Sequence, residues 1–268
     1  MKKNALIFSV VLAMMSLVAF GFVNSNDSLP DEKISANCKT TITDNHPTCV
    51  AKQNTNPIFF YDVSPRFINT ITKEKLDQAK TILEVVPKKP RNKGIVSLRD
   101  VKIKILSEEN KRFEKGSGNT LNAAQVSLLQ ATDYSTNFCI EAFSKQKNPN
   151  SGELEEQCFV YYMTVVPEKK AEFKKGHTAL LEYLKENSQE KITHVTKDRL
   201  KSGKLYFTVT KEGRISNVKL DATSGYSGID KKMFKLIENL PGEWEPATNS
   251  KGEKVDQKLV FSFGEIGC

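Results

Sequence analysis

Alternating apolar residues near the C-terminus, set around one amphipathic helix, constrain this chain more than any other feature. Leu205, Phe207 and Val209 alternate with Tyr206, Thr208 and Thr210, which predicts a strand with one buried face. Lys211, Glu212 and Gly213 predict a short hairpin turn in which Gly213 can take positive φ, and a return strand reaches Leu220. Residues 223–228 break the sheet and offer caps to a helix. There, Ile229, Met233, Leu236, Ile237 and Leu240 recur at the three-four spacing of a buried stripe. Pro241 and Gly242 end that helix. Trp244 is expected over the helix–sheet core, Pro246 forces an extended exit, and Leu259, Phe261 and Phe263 share one face of a last strand. An earlier helix over residues 178–187 gathers Leu180, Leu181, Tyr183 and Leu184 on one side. These pieces assemble into a three-stranded antiparallel sheet packed with helices, an α+β domain over residues 168–268.

Residues 58–167 read as a β-rich domain placed before it. Its structure is expected to start at Ile58, Phe59, Phe60 and Tyr61. A helix over residues 72–85 would carry Leu76, Ala79 and Leu83 on one face, with Thr72 as N-cap. Residues 87–94 form a basic breaker loop. Residues 101–106 alternate apolar and basic, which predicts a half-buried strand with Lys102 and Lys104 facing water. Gly116 to Leu121 opens a helix bearing Val126, Leu128 and Leu129. Two strands follow, at 137–143 and 158–166, the second rich in aromatic and β-branched residues.

The N-terminus has another character. Lys2 and Lys3 precede an apolar run over residues 5–23 that ends in small residues, the pattern of a secretory signal peptide over residues 1–25, with a membrane anchor as the alternative. Residues 26–57 are polar and read as a linker. The formal net charge of +8 is spread along the chain instead of gathered in one tract. It reads either as a solvated surface or as attraction to anionic envelope polymers such as peptidoglycan, and an exported compartment disfavours nucleic acid. Export also permits disulfides among the five cysteines. Cys139 and Cys158 flank a turn at 147–152 and are expected to pair across a hairpin. Cys38 and Cys49 form the simplest second pair, a zinc site with His46 being the alternative, and Cys268 is left over.

Two blocks carry a resemblance to a known family. The first, residues 171–187, resembles the opening segment "PxFPGGxxALxxYLxxN" of the TonB C-terminal domain, with Phe173, Gly176, Ala179, Leu180, Tyr183, Leu184 and Asn187 in register. The second is the ordered set of strand, turn, strand, helix, then Trp244, Glu245, Pro246 and Ala247, and a final strand from Val255 to Phe263. The resemblance covers residues 168–263 and implies a periplasmic binding module that grips outer-membrane transporters. It implies that the last strand, Asp256, Gln257, Lys258, Leu259, Val260, Phe261, Ser262 and Phe263, accepts an extended partner segment by β-augmentation. The run over residues 5–23 has no His and no Pro-rich spacer follows it, so a stand-alone module fits better than a proton-coupled transducer. The middle region is more weakly similar to β-rich domains of gliding-motility and type IX secretion proteins, through the strand from Asp100, the run Ser117 to Leu121 and the closing strand.

Chemistry-bearing motifs are otherwise scarce. Gly116, Ser117 and Gly118 precede a helix but lack the Gly-Lys-Ser/Thr ending of a phosphate loop. His46, His177 and His194 show no ligand spacing, no serine-acyl motif occurs, and the neighbours Glu155 and Glu156 point to opposite faces of a strand. The expectation is a non-enzymatic protein without cofactor or metal, in the periplasm. It would bind an outer-membrane or periplasmic protein, or peptidoglycan as a structural module, and touch a membrane only if residues 5–23 stay attached.

Overall fold

The computed structural model describes residues 59–88, 92, 94–106, 112–148, 150–193, 195–196 and 199–265. The leader, the linker, Cys38, His46, Cys49, His194 and Cys268 lie outside the described residues. The described part is α+β. Two antiparallel-based sheets each collect helices against one face.

The larger sheet holds five strands in the order β2-β6-β5-β3-β4. These are β2 (Thr70–Thr72), β3 (Ile95–Ile105), β4 (Phe113–Gly116), β5 (Asn137–Lys147) and β6 (Leu154–Val166). Three helices belong with it: α1 (Lys73–Gln78), α2 (Ile82–Val85) and α3 (Ala123–Gln130). Ile103, Phe138, Ile140, Tyr161, Met163 and Val165 from the strands meet Leu76, Ile82 and Leu129 from the helices in one core. The single helix expected over 72–85 is broken in two. Ala79 takes extended geometry, and residues 80–82 bond to the chain at Asn119 and Leu121 instead of continuing the helix. Thr72 stands at the N-cap of α1 but makes no side-chain cap bond. Lys102, expected in water, is 9% exposed, with Nζ 4.6 Å from the centroid of the Phe113 ring on the neighbouring strand.

The β5–β6 hairpin overturns the expected disulfide. Its register sets Cys139 opposite Tyr162 and Cys158 opposite Phe143. The two cysteines are therefore four residues out of step, roughly 13 Å along the strand at about 3.3 Å per residue. A disulfide tolerates about 4.4–6.8 Å between Cα atoms. Cys139 is a buried free thiol, and Cys158 is disulfide-bonded.

The smaller sheet has the order β1-β13-β8-β9. Its strands are β1 (Phe60–Ser64), β8 (Ser202–Val209), β9 (Ile215–Ala222) and β13 (Gln257–Gly264). Helices α4 (His177–Glu186), α5 (Gln189–Ile192) and α6 (Ser227–Glu238) accompany it. Between these elements lie two short pairs. One joins β7 (Glu172–Phe173) to β10 (Trp244–Glu245), and the other joins β11 (Ala247–Thr248) to β12 (Lys254–Val255). Leu205, Phe207, Val209, Phe261 and Phe263 pack against Leu180, Leu184, Met233 and Ile237. Trp244 closes this core edge-on to both Phe173 and Phe207. Gly213 takes φ +76, as the turn requires.

Four strands stand where three were expected, because β1 crosses over from the preceding region. Its Val63 is buried in the C-terminal core, and Tyr61 stacks on Phe261 and shares a 2.6 Å hydrogen bond with Ser188 Oγ. The line drawn at residue 58 thus places with the middle region a strand that belongs to the C-terminal sheet.

Candidate functional site

The strand singled out from sequence is not an edge. Val260 to Gly264 pair with β1 on one side and with β8 on the other. Beyond the end of β1, the Lys258 N–H donates to Ser135 Oγ (2.9 Å) and the Ser135 hydroxyl donates back to the Lys258 carbonyl (3.3 Å). Asp256 lies outside the strand, and its carboxylate accepts the Lys211 N–H. Gln257 is 1% exposed and its side-chain oxygen accepts the Ala171 N–H at 2.7 Å. Leu259, Phe261 and Phe263 are core residues, Val260 is buried, and Ser262 is half-buried. The expected acceptor over Asp256 to Phe263 is therefore closed by the chain itself. Sequence patterning could not see this, because β1 is five residues long and lies almost 200 positions away.

Two edges of the sheet have no further strand among the described residues, and they differ. The pairing of β9 with β8 slips twice, and Asn217 takes φ +52. Bulged edges resist a further strand. By contrast, β1 pairs with β13 through five successive residues without a break, and its outer side has no backbone partner among the described residues.

Beside β1 runs a groove of about 490 Å³. One wall is Val63 and Ser64, another is Lys170 to Phe173 of the β7 segment, and Trp244 and Leu180 complete it. The start of α4 opens onto it at Gly176 and His177. Gly176 is the N-cap, with φ +89 and ψ 160, a conformation other residues strongly disfavour. It brings no capping side chain, and the first turn holds no acidic residue. The N–H groups of His177, Thr178 and Ala179 accordingly find no acceptor among the described residues. The indole N–H of Trp244 is likewise buried without an acceptor there. His177 Nε2 lies 3.9 Å from an Asp62 oxygen. Next in sequence to Phe173 and Trp244, Lys174 pairs with Glu243, and that hydrogen-bonded ion pair holds the Glu243 carboxyl below its usual range and the Lys174 ammonium above.

Groups that could do chemistry elsewhere are engaged structurally. Glu156 pairs with Arg99 at 3.0 Å, and Glu155 accepts from the Asn148 side chain at 2.7 Å. Burial, with Glu141 beside it, pushes the Cys139 thiol up to about 12, which suits a core residue and not a nucleophile. Among the described residues no group of three or more His, Cys, Asp or Glu could hold a metal ion. No described helix is long and apolar enough to cross a membrane. Compared with family models, curated proteins and solved structures, the chain matches none.

Proposed function

We propose that this chain is an exported, non-catalytic envelope protein whose TonB-like C-terminal domain binds an outer-membrane or periplasmic protein by strand addition, in association with transport across the outer membrane. In this reading the acceptor is β1, not the last strand. The observation that carries it is the unbroken run of β1, whose outer side has no backbone partner among the described residues, beside a groove of about 490 Å³. Alternate residues of an added strand would point into the groove and fix its register.

The test is hydrogen exchange on the complex with a partner captured by crosslinking in intact cells. Amides of residues 60–64 should gain protection on binding, and the complex should persist as salt is raised, because strand addition draws on the main chain. Protection confined to β9, or steep loss of the complex with salt, would reject strand addition at β1. Steep salt loss would favour a lysine-mediated polymer binder.

A further inference from the structure

Asp62 is the third of the five residues of β1 and the only charged one. Tyr61 and Val63 on either side of it turn to the core, so its carboxylate stands on the opposite face of the strand. That side chain is 35% exposed. One of its oxygens accepts from Ser64 Oγ at 2.6 Å, and the other lies 3.9 Å from His177 Nε2. Among the described residues no Lys or Arg pairs with it. The outer side of β1 has no backbone partner among the described residues either. A strand laid along β1 therefore sets one of its own side chains beside Asp62, about 4.5–5.5 Å away between Cβ atoms, in a place partly withdrawn from water.

We infer that Asp62 selects the strand that β1 accepts: one with Lys or Arg opposite Asp62 and an apolar residue on each side of that cation, and not β1 of a second copy. Opposite charges directly across a ladder stabilise it, and an added strand without a cation there would cover part of the carboxylate and give nothing in return. The neighbours of the cation face the same way as Tyr61 and Val63, the side on which Val63, Leu180 and Trp244 line the groove. Two copies of β1 pairing antiparallel through all five residues would set Asp62 against Asp62, and like charges directly opposite destabilise a sheet. Sliding by two residues separates the carboxylates but leaves three pairs of the five. A charge on an exposed edge is a common guard against such self-pairing. The inference rests on the strand-addition reading and adds to it the chemistry of the added strand.

The full exported chain is titrated in a calorimeter at low ionic strength with acetyl-Thr-Val-Lys-Val-Thr-amide and, separately, with the same peptide carrying Glu at its centre. The peptide reads alike from both ends, so its centre meets Asp62 in either strand direction. The Lys peptide should bind about threefold to tenfold tighter than the Glu peptide, the scale of one cross-strand attraction gained against one repulsion. That preference should vanish in Asp62→Asn and reverse in Asp62→Lys, and it should shrink with salt while binding itself persists. Asp62 is half-exposed, so these variants should fold, which circular dichroism checks. In sedimentation, Asp62→Thr should dimerise at concentrations where the unaltered chain is monomeric. Equal binding of the two peptides, or a preference for Lys that survives in Asp62→Lys, overturns the cation assignment while leaving strand addition standing. Absence of saturable binding by either peptide also overturns it, and exchange protection at residues 60–64 in the native complex then judges strand addition on its own. A monomeric Asp62→Thr chain, or an unaltered chain that dimerises with residues 60–64 protected, overturns the exclusion of a second copy.

Discussion

Single residues carry the sharpest lessons here, beginning with Cys139. Its thiol is neutral below the ordinary cysteine range in both folded and unfolded chains. As pH rises from that range towards about 12, the unfolded chain releases a proton that the folded chain keeps. Stability should therefore fall through that window, and Cys139→Ala should remove part of the slope. Urea midpoints measured at about pH 8 and about pH 10.5 for both proteins decide it, and identical slopes would refute the assignment. Peptide mapping under non-reducing conditions should recover Cys139 as a thiol and Cys158 in a disulfide. The turn at 147–152 that the sequence offers is centred one residue before the observed one, which moves cross-strand partners by two and brings Cys139 and Cys158 nearer in register than the four residues that separate them. Asp230 is a different kind of miss. It sits in the helix whose apolar stripe was legible, yet it is itself buried. It accepts from Ser224 N–H (2.9 Å), Ser224 Oγ (2.7 Å) and Thr223 Oγ1 (2.5 Å). Asp230→Ala should cost about 1–3 kcal/mol in chemical denaturation, since it strands a buried donor. A loss under about 0.5 kcal/mol would mean these bonds are replaced by water.

At the scale of elements, strands and helices with long alternation or a clean three-four stripe were readable, and their partners were not. Both long strands of the β5–β6 hairpin, the turn at Gly213 and the Ile229–Met233–Leu236 stripe follow from local periodicity. The break between α1 and α2 does not, because it depends on hydrogen bonds to Asn119 and Leu121, some 40 residues on. Close approaches are equally silent in sequence. A Cβ on Gly203 would lie 2.5 Å from the ring of Phe263, on the strand that pairs with it. Gly203→Ala should therefore destabilise the sheet by about 1–3 kcal/mol, the usual cost of overpacking. An unchanged urea midpoint would show that the ring can move aside.

The whole molecule resists the division into a middle and a C-terminal domain that composition invites. After β1 leaves the smaller sheet, Arg66 reaches back to Asp221 at 2.9 Å, and its guanidinium lies 5.3 Å from the centroid of the Tyr206 ring. On the other flank Ser135, from the larger sheet's connections, fills the part of the β13 edge that β1 does not reach. A fragment cut at the apparent boundary, residues 168–268, would lose β1, Arg66 and Ser135 together. Its last strand would then expose unpaired main-chain groups from Val260 to Gly264, an invitation to self-association. Burial of Val63 alone is worth about 1.5–3 kcal/mol, so the fragment should unfold at clearly lower urea than one running from residue 58 to 268. A synthetic peptide of residues 58–66, added in trans, should raise that midpoint in a concentration-dependent way, because it binds only the folded sheet. Peptide with Val63 replaced by Pro should fail, since it loses a donor and its fit to the core. If the short fragment is monomeric and as stable as the long one, β1 is an ornament of the fold. The acceptor edge would then have to be sought at β13 after all.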